Sequence, residues 1–167
     1  VLNIDPGAAF GTGTHATTSL CLESLQNYVT NDTKMLDIGC GSGILALASV
    51  LLGAKTALGV DIDAQSVKTA TENAEINSIS DKAQFIVGDL ADKVSGQYDV
   101  ICANIVADVI IRLLPDVGGF MTENGVLIIS GIIDIRKDDV LKAVADNGFT
   151  VAEEHYKDNW CAFTLKK

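Results

Sequence analysis

Short runs of Ile, Val and Leu alternate with longer stretches of helical period along almost the whole chain. The runs Lys34–Ile38, Thr56–Asp61, Ala83–Val87 and Tyr98–Ala103 read as strands, and Val126–Ser130 as a fifth opened by an Asn124-Gly125 turn. Helices are expected at Ala16–Val29, Ile44–Leu52, Ala64–Ser78, Asp108–Leu114 and Asp138–Asn147. Ile44–Leu52 is apolar all round and so belongs inside, ending at Gly53; Pro115 should stop the helix before it. Near-continuous apolar strands alternating with helices imply an α/β fold, a parallel sheet covered on both faces. The tail departs from this rhythm. Phe149–Tyr156 and Trp160–Leu165 are joined only by Lys157-Asp158-Asn159, too short for a crossover helix, so these two strands must pair antiparallel.

With 167 residues the chain fits one domain large enough to bury most of its apolar surface. It carries 22 acids against 12 bases, a net charge of −10. A surface so acidic repels phosphate backbones, so no direct nucleic-acid partner is expected; a basic protein or a small molecule suits it better. Cys21, Cys40, Cys102 and Cys161 are scattered, with neither C-x-x-C spacing nor a Cys/His pair. Zinc needs closely spaced ligand pairs and a disulfide scaffold a short, loop-rich chain, so no metal site is expected and the thiols read as reduced, in a cytoplasmic protein. No apolar stretch approaches membrane-spanning length. The first residue is Val1 rather than Met, which suggests a trimmed chain or a domain cut from something longer.

The chemistry concentrates at Leu36-Asp37-Ile38-Gly39-Cys40-Gly41-Ser42-Gly43. This is a buried strand, a tight glycine turn and a helix start, a geometry in which backbone N–H groups can approach a nucleoside. A dinucleotide fingerprint wants its third glycine one place later, where this chain has Ile44. Asp37 beside the turn would repel a pyrophosphate but welcome a cationic aminoacyl or sulfonium group. Asp61 follows Gly39 by 22 residues, close to the roughly 20-residue offset of a ribose-binding acid. These features favour S-adenosyl-L-methionine over NAD as cofactor. Asp89, after the third strand, is either an acceptor for an adenine amino group or a solvated loop acid.

Asn104, in Asn104-Ile105-Val106-Ala107, ends the fourth strand where a transferable methyl would lie. Its carbonyl can accept from an amine N–H; the competing role is a helix N-cap. The absence of an aromatic residue there speaks against a flipped nucleobase. Ahead of the first helix, Phe10-Gly11-Thr12-Gly13-Thr14-His15-Ala16-Thr17-Thr18 is either a cluster of helix-capping threonines, with His15 an ordinary surface or packing residue, or a lid whose threonines reach the cofactor and whose Phe10 covers it.

Taken together, the Phe10–Thr18 segment, the Leu36–Leu45 turn, Asp61-Ile62-Asp63, Asn104–Ala107, Leu127–Gly131 and Trp160-Cys161 closely resemble the bacterial ribosomal protein L11 methyltransferases, over essentially the whole chain. Ala16 stands where that family usually has proline, and Val106 where it usually has leucine. The resemblance implies the class I S-adenosylmethionine-dependent methyltransferase fold, Rossmann-like, with a mostly parallel seven-stranded sheet and a C-terminal antiparallel hairpin. It implies cofactor contacts at Thr18, Gly39, Asp61 and Asn104; the turn itself adds Gly41 and Asp37 as candidate cofactor contacts, and its place at the strand tip makes Asn104 the candidate catalytic residue. Residues 1–33 would form the lid segment and leading helix of a catalytic domain spanning 1–167, and the family's N-terminal substrate-recognition domain would lie outside it. The implied reaction is methylation of lysine ε-amines and an N-terminal α-amine of a basic ribosomal protein. A methyltransferase for a small amine or another protein, a non-catalytic nucleoside-binding module, and an NAD oxidoreductase are the competing readings.

Overall fold

The computed structural model describes residues 2–3 and 15–167. Twelve helices and strands follow one another there: α1 Ala16–Tyr28, β1 Lys34–Ile38, α2 Ile44–Leu51, β2 Thr56–Asp61, α3 Ala64–Ile76, β3 Ala83–Val87, β4 Tyr98–Asn104, α4 Ala107–Val117, β5 Met121–Ile133, α5 Lys137–Asp146, β6 Thr150–Lys157 and β7 Trp160–Lys166. The strands form one seven-stranded sheet in the order β3-β2-β1-β4-β5-β7-β6. The first five are parallel, and β7 inserts antiparallel between β5 and β6. Both the parallel body and the reversed hairpin are as the sequence pattern implies.

Alternation along the central strands sorts side chains into two cores. Leu36, Ile101 and Ile129 face α4 and α5, where Ile110, Leu113, Val140 and Val144 complete one buried cluster. Met35, Val100, Cys102 and Ile128 face the opposite way, toward Leu25 of α1, Leu47 and Val50 of α2 and Ala74 of α3. Period-2 strands between period-3.6 helices give this three-layer arrangement directly. The reversed hairpin belongs to the first core through Phe163, which is fully buried and meets the Tyr156 ring edge-on at 6.4 Å. No helix covers the link between β3 and β4, so Leu58, Ile86, Leu90 and Val94 remain only partly buried beside the sheet.

Two local expectations are corrected. Pro115 does not end its helix: α4 runs to Val117 and continues as a 3-10 turn over Gly118–Phe120. A proline in the last turn removes only one backbone hydrogen bond, and the apolar face of Ile110, Leu113, Leu114 and Val117 holds the helix to the sheet. Asn124-Gly125 does not open β5 either. The strand begins at Met121, and the pair lies in a bulge where the register against β4 jumps between Tyr98↔Met121 and Val100↔Val126.

Truncating Phe163 to Ala should lower unfolding free energy by about 3–5 kcal/mol, the usual cost of emptying a buried aromatic site. Urea denaturation checks this, and a loss under about 1 kcal/mol would show that the hairpin is not part of the cooperative core.

Candidate active site

All five parallel strands point their C-terminal ends the same way, and the predicted site residues gather there. Register places Asn104 beside Ser130, Asp61 beside Val87, and Ile38, just before the glycine turn, between Val60 and Ala103. The turn is pinned at both ends. Gly39 and Cys40 donate their backbone N–H groups to Val60 O at 2.8 and 2.9 Å. From α3, the buried Asn73 side chain donates to Ser42 O at 2.9 Å. Gly39 adopts φ +73°, and a β-carbon there would lie 2.5 Å from Ile105 Cγ2, so only glycine lets the two strand tips meet.

Asp61 grips the same turn. Its Oδ2 accepts from Gly41 N at 2.9 Å and its Oδ1 from Asp63 N at 2.9 Å. Each oxygen keeps a lone pair, so the carboxylate can still accept from a ribose diol. A cleft of about 380 Å³ opens above it, lined by Gly39, Asp61, Gly88, Ile105, Val106 and Arg112 among others. That volume suits a nucleoside-sized ligand. Asp89 borders it too, and its Oδ1 takes Arg112 Nη2 at 3.1 Å. Both partners of this ion pair are largely exposed, so its stabilising effect is small and Asp89 can exchange partners readily.

Asp37 lies beneath the turn, 1% exposed, and neither carboxylate oxygen has a hydrogen-bond partner of good geometry. Burial pushes this acid up to about 7; the backbone amide of Ala46, at the head of α2, pulls it partly back, and the Asp61 charge adds to the rise. A carboxyl stranded like this next to a glycine turn fits a ligand with a cationic end. Gly41, held by Asp61, completes that wall. The turn thiol Cys40 is buried and raised by its desolvation, which makes it an inert packing group.

Asn104 stands one strand over. Its Nδ2 donates to Thr18 Oγ1 at 3.4 Å, and Thr18 is itself fully buried in α1. Thr18 therefore reaches Asn104 rather than the open cleft, and neither residue lines that cleft. The capping role considered for Asn104 is not realised: the N-cap of α4 is Val106, which makes no side-chain cap bond. At α1 the cap is His15, not a threonine; its Nδ1 accepts from Thr17 N at 3.2 Å, and its ring meets Trp160 at 5.2 Å. Phe10 to Thr14, the front of the expected lid, lie outside the described residues.

Three contributors carried no assigned role in the sequence reading. Ile105 packs over Gly39, Asn73 ties α3 to the turn, and Gly131 (φ +85°) makes room for the Ile105 carbonyl, which a β-carbon would approach to 2.5 Å. Ser130-Gly131 closes the Leu127–Gly131 motif, and a Ser-Gly step directly after an apolar strand is the available signal. Asn73 gave none, because a polar residue within a helix ordinarily faces solvent.

The family model for ribosomal protein L11 methyltransferase (PrmA) matches residues 1–167. The chain belongs to the ribosomal protein L11 methyltransferase family. A relative named ribosomal protein L11 methyltransferase from Heliobacterium modesticaldum is 44% identical over 167 residues, covering 100% of this chain and 53% of its own length. Another of that name, from Desulfitobacterium hafniense, is 46% identical over 160 residues, covering 96% of this chain and 51% of its own. The chain thus spans about half the length of these curated relatives. A crystal structure of ribosomal protein L11 methylase from Lactobacillus delbrueckii subsp. bulgaricus superposes with TM-score 0.94 at 33% identity, over 99% of this chain and 84% of that one. The M. capricolum TrmK structure, in complex with S-adenosylhomocysteine, matches with TM-score 0.70 at 19% identity, over 87% of this chain and 67% of that one, a likeness of fold alone.

Asp37 has a consequence for stability. Its folded-state value lies above the ordinary 3.8, so the folded chain holds a proton that the unfolded chain has released between pH 4 and 7. Stability should therefore fall as pH rises through that window, by up to about 4 kcal/mol, and level off above it. Asp37→Asn should flatten this slope and exceed the parent chain in stability at pH 8, as read by urea denaturation across pH. A slope that survives the substitution would place its origin elsewhere.

Proposed function

We propose that the chain is the catalytic domain of a methyltransferase that uses S-adenosyl-L-methionine to methylate amines of a ribosomal protein, lysine ε-amines and an N-terminal α-amine among them. The observation that supports this most is the pairing of two acids around one glycine turn: Asp61 open to a ribose, Asp37 buried and unpartnered where a cation would sit. The names of the relatives point to the protein substrate. No carboxylate stands in Asn104-Ile105-Val106-Ala107, and that matters for the chemistry.

The cofactor supplies a methyl group already activated by its sulfonium. The protein must hold a neutral amine in line with it, and proximity and orientation alone can supply about 7–11 kcal/mol. Removing the proton is harder for lysine. Being neutral at pH 7.4 costs about 4 kcal/mol for a side-chain amine, against less than about 1 kcal/mol for an α-amine. A carboxylate facing the amine would raise that cost by favouring the ammonium. Asn104 orients the amine without adding charge, and Thr18, by accepting from its amide nitrogen, sets which way the amide faces. Asn104 is an orienting group, not a base. The acidic surface, with net charge −10, draws a basic protein substrate toward the domain.

Transfer of labelled methyl groups to purified ribosomal protein L11, followed by peptide mapping, tests the proposal; labelling of neither lysine nor the N-terminus would refute it. Asn104→Ala should lower turnover on the order of 100-fold or more while changing cofactor affinity less than about threefold. Equal losses in both would make Asn104 a binding residue only. Asp61→Ala should weaken cofactor affinity about tenfold or more, since it removes the ribose acceptor and loosens Gly41 together. Unchanged calorimetric affinity would discard that assignment.

A further inference from the structure

Three of the four links between successive parallel strands carry a helix: α2 joins β1 to β2, α3 joins β2 to β3 and α4 joins β4 to β5. The fourth, from β3 to β4, is made by residues 88–97 without one. Between that link and α4 lies a groove with a cavity of about 660 Å³. Its walls are apolar, Leu90 and Val94 from the link, Leu113 from α4 and Phe120 from the turn after it. Each wall also carries an exposed acid, Asp92 on the link and Asp116 on α4. Neither forms an ion pair among the described residues. Asp92 Oδ1 accepts from Asp89 N at 2.9 Å, and a carboxylate so engaged has lone pairs to spare. Arg112 is the one cation of the lining, and Asp89 holds it at 3.1 Å. Lys93 follows Asp92 in the link but does not line the groove, and Lys167 donates to Gly118 O at 2.9 Å. Three carboxylates therefore stand against one guanidinium.

This groove is continuous with the cofactor cleft: Asp89, Leu90 and Arg112 line both. Val106, Val109, Arg112 and Asp116 recur at three- and four-residue spacing, so one face of α4 leads from the cleft to the outer end of the groove. From 106 to 116 a helix rises about 15 Å, the reach of about four or five residues of extended chain. We propose that the groove docks a basic, lysine-bearing segment of the substrate polypeptide in extended form. Asp92 and Asp116 meet its cations, and the apolar walls take its aliphatic stems. This rests on the protein-methylating reading above and gives the attraction of a basic substrate a place. A segment that offers a lysine for methylation brings positive charge with it, and the groove answers with acids at its rim. A nucleic-acid strand does not fit, because its phosphates would meet the same carboxylates.

Methyl transfer to purified ribosomal protein L11 at varied concentration, with S-adenosylmethionine saturating, tests this. Asp92→Asn combined with Asp116→Asn should raise KM for ribosomal protein L11 about tenfold and leave kcat within about twofold, because the lost contacts serve ground and transition states alike. An amide in place of the Asp92 carboxylate still accepts from Asp89 N, so the link keeps its turn. Glu72→Gln with Glu75→Gln removes the same charge from exposed positions of α3, on the other face of the sheet. That pair should move KM less than about twofold, since distant surface charges are screened. Methyl-resolved NMR of Leu90, Val94 and Leu113 in the unaltered chain, with ribosomal protein L11 added, covers the case in which a variant does not fold: shifts at these residues support docking. An unmoved KM in the aspartate variant, an equal rise in the α3 variant, or unshifted methyls overturns the docking proposal and leaves the methyltransferase reading standing. Absence of any labelling by the unaltered chain overturns that reading instead, and the methyl shifts then decide the groove by themselves.

Discussion

Ile105 brings its methyl branch to within 2.5 Å of where a β-carbon on Gly39 would stand, and its carbonyl oxygen as close to where one on Gly131 would stand. The tips of β1, β4 and β5 can meet only because two side chains are missing. From that contact the rest follows. Gly39 stays tight enough to hand its N–H to Val60, which draws β2 and Asp61 under the turn. Ile105 N donates to Ser130 O at 3.1 Å, fixing the strand tip that presents Asn104. Non-glycine side chains at positive φ add strain to the steric clash, so the crowding tolerates few alternatives.

Around this frame the charges are divided. Asp61 is satisfied by two backbone donors and half turned to the cleft, whereas Asp37 is sealed and bare. These acids on neighbouring strands differ in setting, one lining the cleft and the other buried. In the proposed function the first accepts from hydroxyls by geometry and the second favours a cation. Asn104, at a neighbouring strand tip, is neutral and held by Thr18.

Most of the fold was legible because hydrophobic periodicity reflects which faces are buried. β1, β2 and β3 run between the residues that the pattern indicates, and helix ends differ by one to three residues. The misreadings have a common cause. Pro115 and Asn124-Gly125 are strong local signals for interruption, yet the apolar face of α4 and the pairing of β5 with its neighbours outweigh them. At the site, residue types at strand tips were readable because parallel topology sends those tips to one edge. What could not be read were the supports. Asn73 reaches across from another helix, and the capping of α1 by His15 depends on a ring position that no spacing rule encodes.

Parallel sheets of this kind end in two open rims, and here each is blunted differently. β3 is only five residues long. At the other rim β6 carries Glu153, Glu154, His155 and Lys157 on a largely exposed strand, and its register against β7 breaks between Val151 and Glu153. Unpaired rim amides invite another chain to add itself as an eighth strand; brevity on one side, and charge with a kink on the other, discourage that addition. The apolar ladders of β1, β4 and β5 can therefore be built from Ile, Val and Leu in long runs without making the protein prone to fibrils, because the hazardous sequence is confined to the middle of the sheet.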